Sequence, residues 1–367
     1  MIFTQDGSRG QSNGSGAASR LTSTTTAEIF NRYARQVYSG RSPLYERLSL
    51  RIAEDPELLA LAANARKNTA LPNLFFGAVH LLLLKGDRHP LSAFYPSLSG
   101  SAKPDYSYPY FRSFILEHRE EIREIITTHL VQTNEVGRCA CLVPAFEIVA
   151  RQAKRRPLAL VEIGASAGLT LLWDRYGYNY GDGLQCGDPN SPVQIECSLR
   201  GENRPPIPKK FPTIASRVGV DLNPIDLDDP ESVLWLRALI WPEHHNRVKQ
   251  LQAAIQLARR YPPKVIPGDA LELLPSILTS IPEDQVLCVY HSFVTSFLSH
   301  EAREKLRSLI AQHAEKRPLF LVSLEWYGKM EHPQLELVSY QQDVETGRIL
   351  ARCNSHGEWL EWLEWTD

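Results

Sequence analysis

Residues 158–172 read LALVEIGASAGLTLL, and the fold turns on how this stretch is parsed. LALVEI is apolar except for Glu162 and has the length of a strand buried on both faces. LTLLWDRY (169–176) suits a helix, so Gly164-Ala165-Ser166-Ala167-Gly168 becomes a strand-to-helix turn. Its G-x-S-x-G spacing fits an exposed nucleophilic serine, and its small residues equally fit a cradle for a nucleotide-like ligand. The rest of the chain has to choose between the two.

At 367 residues the chain can hold one elaborated domain or two. A formal net charge of -2 gives no overall positive field, so neither nucleic acid nor a membrane surface is an expected partner. The six cysteines are scattered without C-x-x-C spacing, and no metal site is expected. The most apolar run, LFFGAVHLLLL (74–84), is too short to span a bilayer. With no secretory signal at the N-terminus, the expectation is a soluble cytoplasmic protein of unknown oligomeric state.

Residues 1–24, rich in Gly, Ser and Thr, are expected to form a disordered leader. Over 25–156 the apolar spacing is helical, as in PNLFFGAVHLLLLKG and FRSFILEHREEIREIITTHL, with Pro43, Pro56 and Pro72 as dividers. From 157 to 367 strand-like runs (LALVEIG, ASRVGVDLN, PKVIPGD, QVLCVYHSFV, PLFLVSLEWYG) alternate with helical segments near 168–176, 230–260, 270–280 and 299–315. LELVSYQQDV and RILARCN then read as an antiparallel hairpin, and WLEWLEW as a terminal helix or turn. An insertion at about 177–214, containing a small β excursion in VQIECSLRG, interrupts the pattern. The fold class is therefore α/β, a Rossmann-like, methyltransferase-type, mostly parallel sheet with a C-terminal antiparallel hairpin, preceded by a helical N-terminal region.

A ligand cradle needs hydrogen-bond acceptors at several strand ends. Glu162 stands in the first strand, Asp221 ends the second and Asp269 follows the third. The arrangement resembles class I S-adenosylmethionine methyltransferases, in which acidic residues at such positions lie near the methionine amine, the ribose hydroxyls and the adenine amine. The resemblance implies S-adenosylmethionine as cofactor, held by Glu162, Gly164, Ser166, Gly168, Asp221 and Asp269, with the Ser166 hydroxyl donating to the ligand's carboxylate. A dinucleotide fits less well, because its ribose acid lies about 20 residues past the turn and Asp221 is much further on. A hydrolase would use Ser166 with a later acid and histidine. Against it, about 130 mostly helical residues precede the first strand, and no glycine-rich oxyanion loop occurs upstream.

VQTNEVGRCACLVPAF (131–146), the turn itself, RVGVDLNPIDLDDPESVLWLRALIWPEHHNRVKQLQAAI (217–255) and VIPGDALELLP (265–275) together resemble a mainly bacterial family known as domain of unknown function 2332. The resemblance runs from about residue 28 to 350 and implies a Rossmann-like core with no established substrate. Gln132, Asn134, Glu135 and Arg138 crowd polar groups ahead of an apolar helix, and Trp241 lies among aromatics and charges; these are the candidate substrate contacts. His291 and Tyr290, at the end of the fourth strand, are the candidate catalytic residues, His291 as a general base. The expected function is S-adenosylmethionine-dependent methylation of a small molecule. The alternatives are a ligand-binding or regulatory protein without transfer chemistry on the same fold, and a serine hydrolase using Ser166.

Overall fold

The computed structural model describes residues 23–66, 69–86, 88–327, 330–341 and 344–364. The expected leader lies outside these residues apart from Ser23 and Thr24, which already belong to the first helix, and the tail's Trp365 lies outside them too. Among the described residues no helix is long and apolar enough to cross a membrane. All six cysteines are free thiols. The α/β chain divides into two compact units, one made of the described residues through Thr133 plus Asp229–Val248, the other of Asn134–Asp228 and the residues from Lys249 onward.

The first unit is helical: α1 (Ser23–Tyr33), α2 (Pro43–Ile52), α3 (Pro56–Ala62), α4 (Leu71–Leu84), α5 (Tyr108–Glu117) and α6 (Arg119–Thr128). The prolines that divide the sequence lie in the first turns of α2, α3 and α4, where a missing N–H costs nothing. Ser42 and Asp55 cap α2 and α3 by accepting from the backbone N–H of Tyr45 and of Glu57 and Leu58. Helix α4 is apolar on nearly every side and is correspondingly buried from Leu71 to Leu83, apart from Asn73. After α7 (Cys139–Gln152), which belongs to the second unit, α8 (Pro230–Ala238) returns to pack on α4. Trp235 and Trp241 are buried in the helical core, Trp241 edge-on to Tyr38 at 5.1 Å.

The second unit is built on a nine-stranded sheet. The strands are β1 (Leu158–Ile163), β2 (Gly177–Asn179), β3 (Gln185–Gly187), β4 (Gln194–Glu196), β5 (Ser198–Arg200), β6 (Ile214–Asp221), β7 (Val265–Pro267), β8 (Val286–Ser292), β9 (Leu319–Glu325), β10 (Gln334–Gln341), β11 (Val344–Cys353) and β12 (Trp359–Trp362). The sheet order is β5-β12-β11-β10-β9-β8-β1-β6-β7, parallel from β7 through β9 and then antiparallel through β10, β11 and β12. From the insertion, β2, β3 and β4 form a separate small sheet, while β5 joins the large one by pairing parallel with β12. Helices α9 (His245–Arg260), α10 (Ala270–Ser280) and α11 (His300–Ala314) link the later strands, and side chains of α10 and α11 fill the core on one face.

Two local expectations change. Leu169–Arg175 winds as a 3-10 helix, with the hydroxyls of Tyr176 and Tyr178 donating to the Leu169 and Trp173 carbonyls. The tail is strand β12 and not a helix or turn: its aromatic residues suit a pleated, buried position against β11.

Helix α2 owes its start to the returning segment. The Ser42 hydroxyl donates to Glu243 Oε2 at 2.8 Å, and the Leu44 N–H donates to Glu243 Oε1 at 3.0 Å. Replacing Glu243→Ala strips both acceptors and is expected to cost about 1–2 kcal/mol, read as a lower urea midpoint, with Glu243→Gln recovering part of it.

Candidate functional site

In an open parallel sheet, ligands sit at the strand C-termini where successive crossovers leave to opposite faces. That point here lies between β1 and β8. The 3-10 helix after β1 packs on α7 through stacked Trp173 and Phe146 rings 4.7 Å apart, whereas α11 after β8 fills the opposite face. The Gly164–Gly168 turn therefore stands at the switch point.

Local packing explains the turn's composition. Gly164 and Gly168 both have φ of 70°, and a Cβ on either would fall within 2.4 Å of Val294 Cγ2 or 2.7 Å of Pro263 Cγ. Between them Ser166 is also left-handed, at φ 55°, uncommon for a residue with a side chain. Asp221, at the end of β6, holds it there: Oδ2 accepts the Ser166 N–H at 2.8 Å while Oδ1 accepts that of Asn223 at 2.8 Å. Ser166 Oγ is buried and without a hydrogen-bond partner. No histidine bonds it, so the serine–histidine link of a hydrolase is not formed. Asp269 follows β7 and caps α10, so Ser166, Asp221 and Asp269 line the C-terminal ends of three adjacent strands.

Glu162 does different work. It is buried against the face that holds Tyr290, its carboxylate accepting from the Thr170 hydroxyl and, at 3.0 Å, from that of Tyr290. Burial pushes its carboxyl up to about 8, more than those two bonds lower it. Each oxygen thus has one hydroxyl partner inside the protein.

Tyr290 and His291 are neighbours in a strand and so project to opposite faces. Tyr290 goes to Glu162, while His291, 3% exposed, places Nδ1 2.7 Å from Glu325 Oε1 on β9. Glu325 also accepts the N–H groups of Val294 and Thr295 and the Thr295 hydroxyl. Burial raises its carboxyl, but the hydrogen bond with His291 and those further bonds hold it below the ordinary value.

The polar stretch before α7 is partly recruited to this end of the sheet. Asn134 Oδ1 accepts the Leu169 N–H at 2.8 Å, tying the segment to the turn. Arg138 donates to the Ser355 carbonyl and lies 4.2 Å over the Phe293 ring, with Ser292 Oγ at 3.5 Å. Glu135 is buried in the same stretch. Gln132 and Trp241 belong to the helical unit. Sequence reading missed Glu325 and Thr170. An acid ending the mostly apolar LFLVSLE was the available signal for Glu325; nothing marked Thr170.

These features define an α/β protein with a mostly parallel sheet and a polar switch-point turn. The chain belongs to the DUF2332 family, described as an uncharacterized protein conserved in bacteria, whose profile matches residues 27–362. No curated protein and no solved structure matches it.

The raised Glu162 carboxyl has a linkage consequence. From its ordinary value of 4.5 up to about 8, the folded chain keeps a proton that the unfolded chain releases. Its contribution therefore makes stability fall as pH rises through that window and level off above it. Glu162→Gln removes this loss. Between pH 5 and 8 the variant's urea midpoint should fall less than the parent's, by up to a few kcal/mol in stability at about 1.4 kcal/mol per pKa unit.

Proposed function

We propose that this chain binds S-adenosylmethionine at the Gly164–Gly168 turn and transfers its methyl group to a small molecule, acting as a cytoplasmic enzyme with a methyltransferase-type core. The observation that carries the reading is the buried, unpartnered Ser166 hydroxyl in a left-handed turn at the switch point. Leaving such a group unbonded costs about 1–3 kcal/mol, which an acceptor on a ligand would recover. The ligand's carboxylate is such an acceptor. Gly164, Ser166 and Gly168 would hold the amino-acid end, and Asp221 and Asp269, at the ends of β6 and β7, the ribose and adenine ends. The cofactor supplies an electrophilic methyl on a sulfonium.

Glu162 braces the turn from beneath through Thr170 and Tyr290, and its remaining lone pairs would receive the ligand's amine. Methyl transfer asks mainly for proximity and alignment, which a turn fixed by Asp221 and Asn134 can provide. One observation favours the rival reading of a binding protein without transfer chemistry: the Val294 side chain already lies against Gly164.

Calorimetric titration with S-adenosylhomocysteine tests the proposal. The parent protein should bind saturably, and Ser166→Ala at least tenfold more weakly, a loss of about 1.4 kcal/mol. The same variant should melt at or above the parent temperature, since it removes an unsatisfied buried hydroxyl. Absence of binding in a folded parent protein would overturn the reading. Binding without methyl transfer to any acceptor would favour the rival.

A further inference from the structure

The His291–Glu325 pair is built differently from a histidine that only packs. His80, fully buried in α4, shows the packing pattern: Nδ1 meets the Ala238 carbonyl at 3.0 Å and Nε2 meets Ser97 Oγ at 2.7 Å, so both ring nitrogens are used. His291 is almost as buried but uses one. Its Nδ1 lies 2.7 Å from Glu325, and among the described residues Nε2 makes no hydrogen bond.

Glu325 fixes which nitrogen exchanges protons. Oε1 faces His291 Nδ1 and accepts the backbone N–H groups of Val294 and Thr295 at 2.8 and 3.2 Å, and Oε2 accepts the Thr295 hydroxyl at 2.9 Å. An ionised carboxylate can only accept, so the nitrogen facing it carries hydrogen. Proton traffic on the ring is confined to Nε2. The ring stands opposite Ile163, one residue before the turn, at the C-terminal end of β8. Phe293, directly after the strand, is held at φ 57°, and the three bonds from the following loop to Glu325 keep that loop beside the ring.

We propose that His291 and Glu325 form a proton-accepting dyad, and that the molecule reaching Nε2 presents a hydroxyl. The O–H bond breaks, its electron pair stays on oxygen, and the proton passes to Nε2, leaving an imidazolium beside the Glu325 carboxylate. The inference rests on the reading above and makes that oxygen the nucleophile. A neutral amine already carries a usable lone pair, whereas a hydroxyl is a poor nucleophile until its proton leaves; a positioned base therefore selects hydroxyl acceptors. His291 touches the substrate and Glu325 is a positioning residue.

The test uses 4-nitrophenol as probe, buffered on the acid side of its own ionisation, where free probe is colourless. Binding to the parent protein should raise the phenolate absorption band in a saturable way. His291→Gln, similar in size and checked for folding by circular dichroism, should abolish the band, and Glu325→Gln should weaken it at least tenfold. A purely structural pair would leave the band unmoved in both variants, and that result, or no band with the parent protein, would overturn the inference. S-adenosylhomocysteine titration of the same samples separates the two readings. Undiminished binding in His291→Gln alongside a persistent band defeats the dyad and leaves the cofactor reading standing. No binding in the parent protein defeats the cofactor reading, and with it the assignment of the hydroxyl as a methyl acceptor.

Discussion

Strand β1 lies in the middle of the parallel sheet with every residue buried, and this constrains everything around it. No water reaches its faces to absorb a polar group, so each one brought there must find a protein partner or go without. Glu162 finds Thr170 and Tyr290, and pays for burial by keeping its proton. Asp221 at the next strand's end supplies the acceptor for the backbone of the turn. Ser166 alone among these has no partner for its side chain.

The two faces of the sheet consequently carry different chemistry. On the α7 side, Tyr290 and Glu162 form a neutral, hydrogen-bonded pair beneath the turn. On the α10 and α11 side, His291 meets a carboxylate held in its charged form by four hydrogen bonds. Two carboxyl groups of similar burial thus differ in protonation, because one accepts two bonds and the other faces a histidine and two backbone donors as well.

The parallel core was legible because its strands announce themselves as short apolar runs closed by turn residues, and β1, β6, β7, β8 and β9 all fall on such runs. The placement of Asp221 and Asp269 at neighbouring strand ends followed from the same rhythm. Less legible was anything set by side-chain direction across strands. Tyr290 and His291 look like partners in sequence, yet strand alternation sends them to opposite faces, and His291's true partner lies 34 residues on. The 3-10 helix after the turn carries two tyrosine hydroxyls reaching back to its carbonyls, which no periodicity encodes. The aromatic tail was misread because a three-residue spacing of tryptophans resembles a helix face, while pairing with β11 made it a strand.

Membership of Asp229–Val248 in the helical unit bears on how the chain is made. A nascent chain that has emerged through Thr133 has all of α1 to α6 but lacks Trp235 and Trp241, whose side chains fill the core between them, and Glu243, which caps α2. Nearly a hundred residues, including β1 and the insertion, must be translated before those groups arrive. The order of synthesis and the order of assembly therefore run out of step: the part made first is completed by a later segment, after the central strand of the sheet has already been translated.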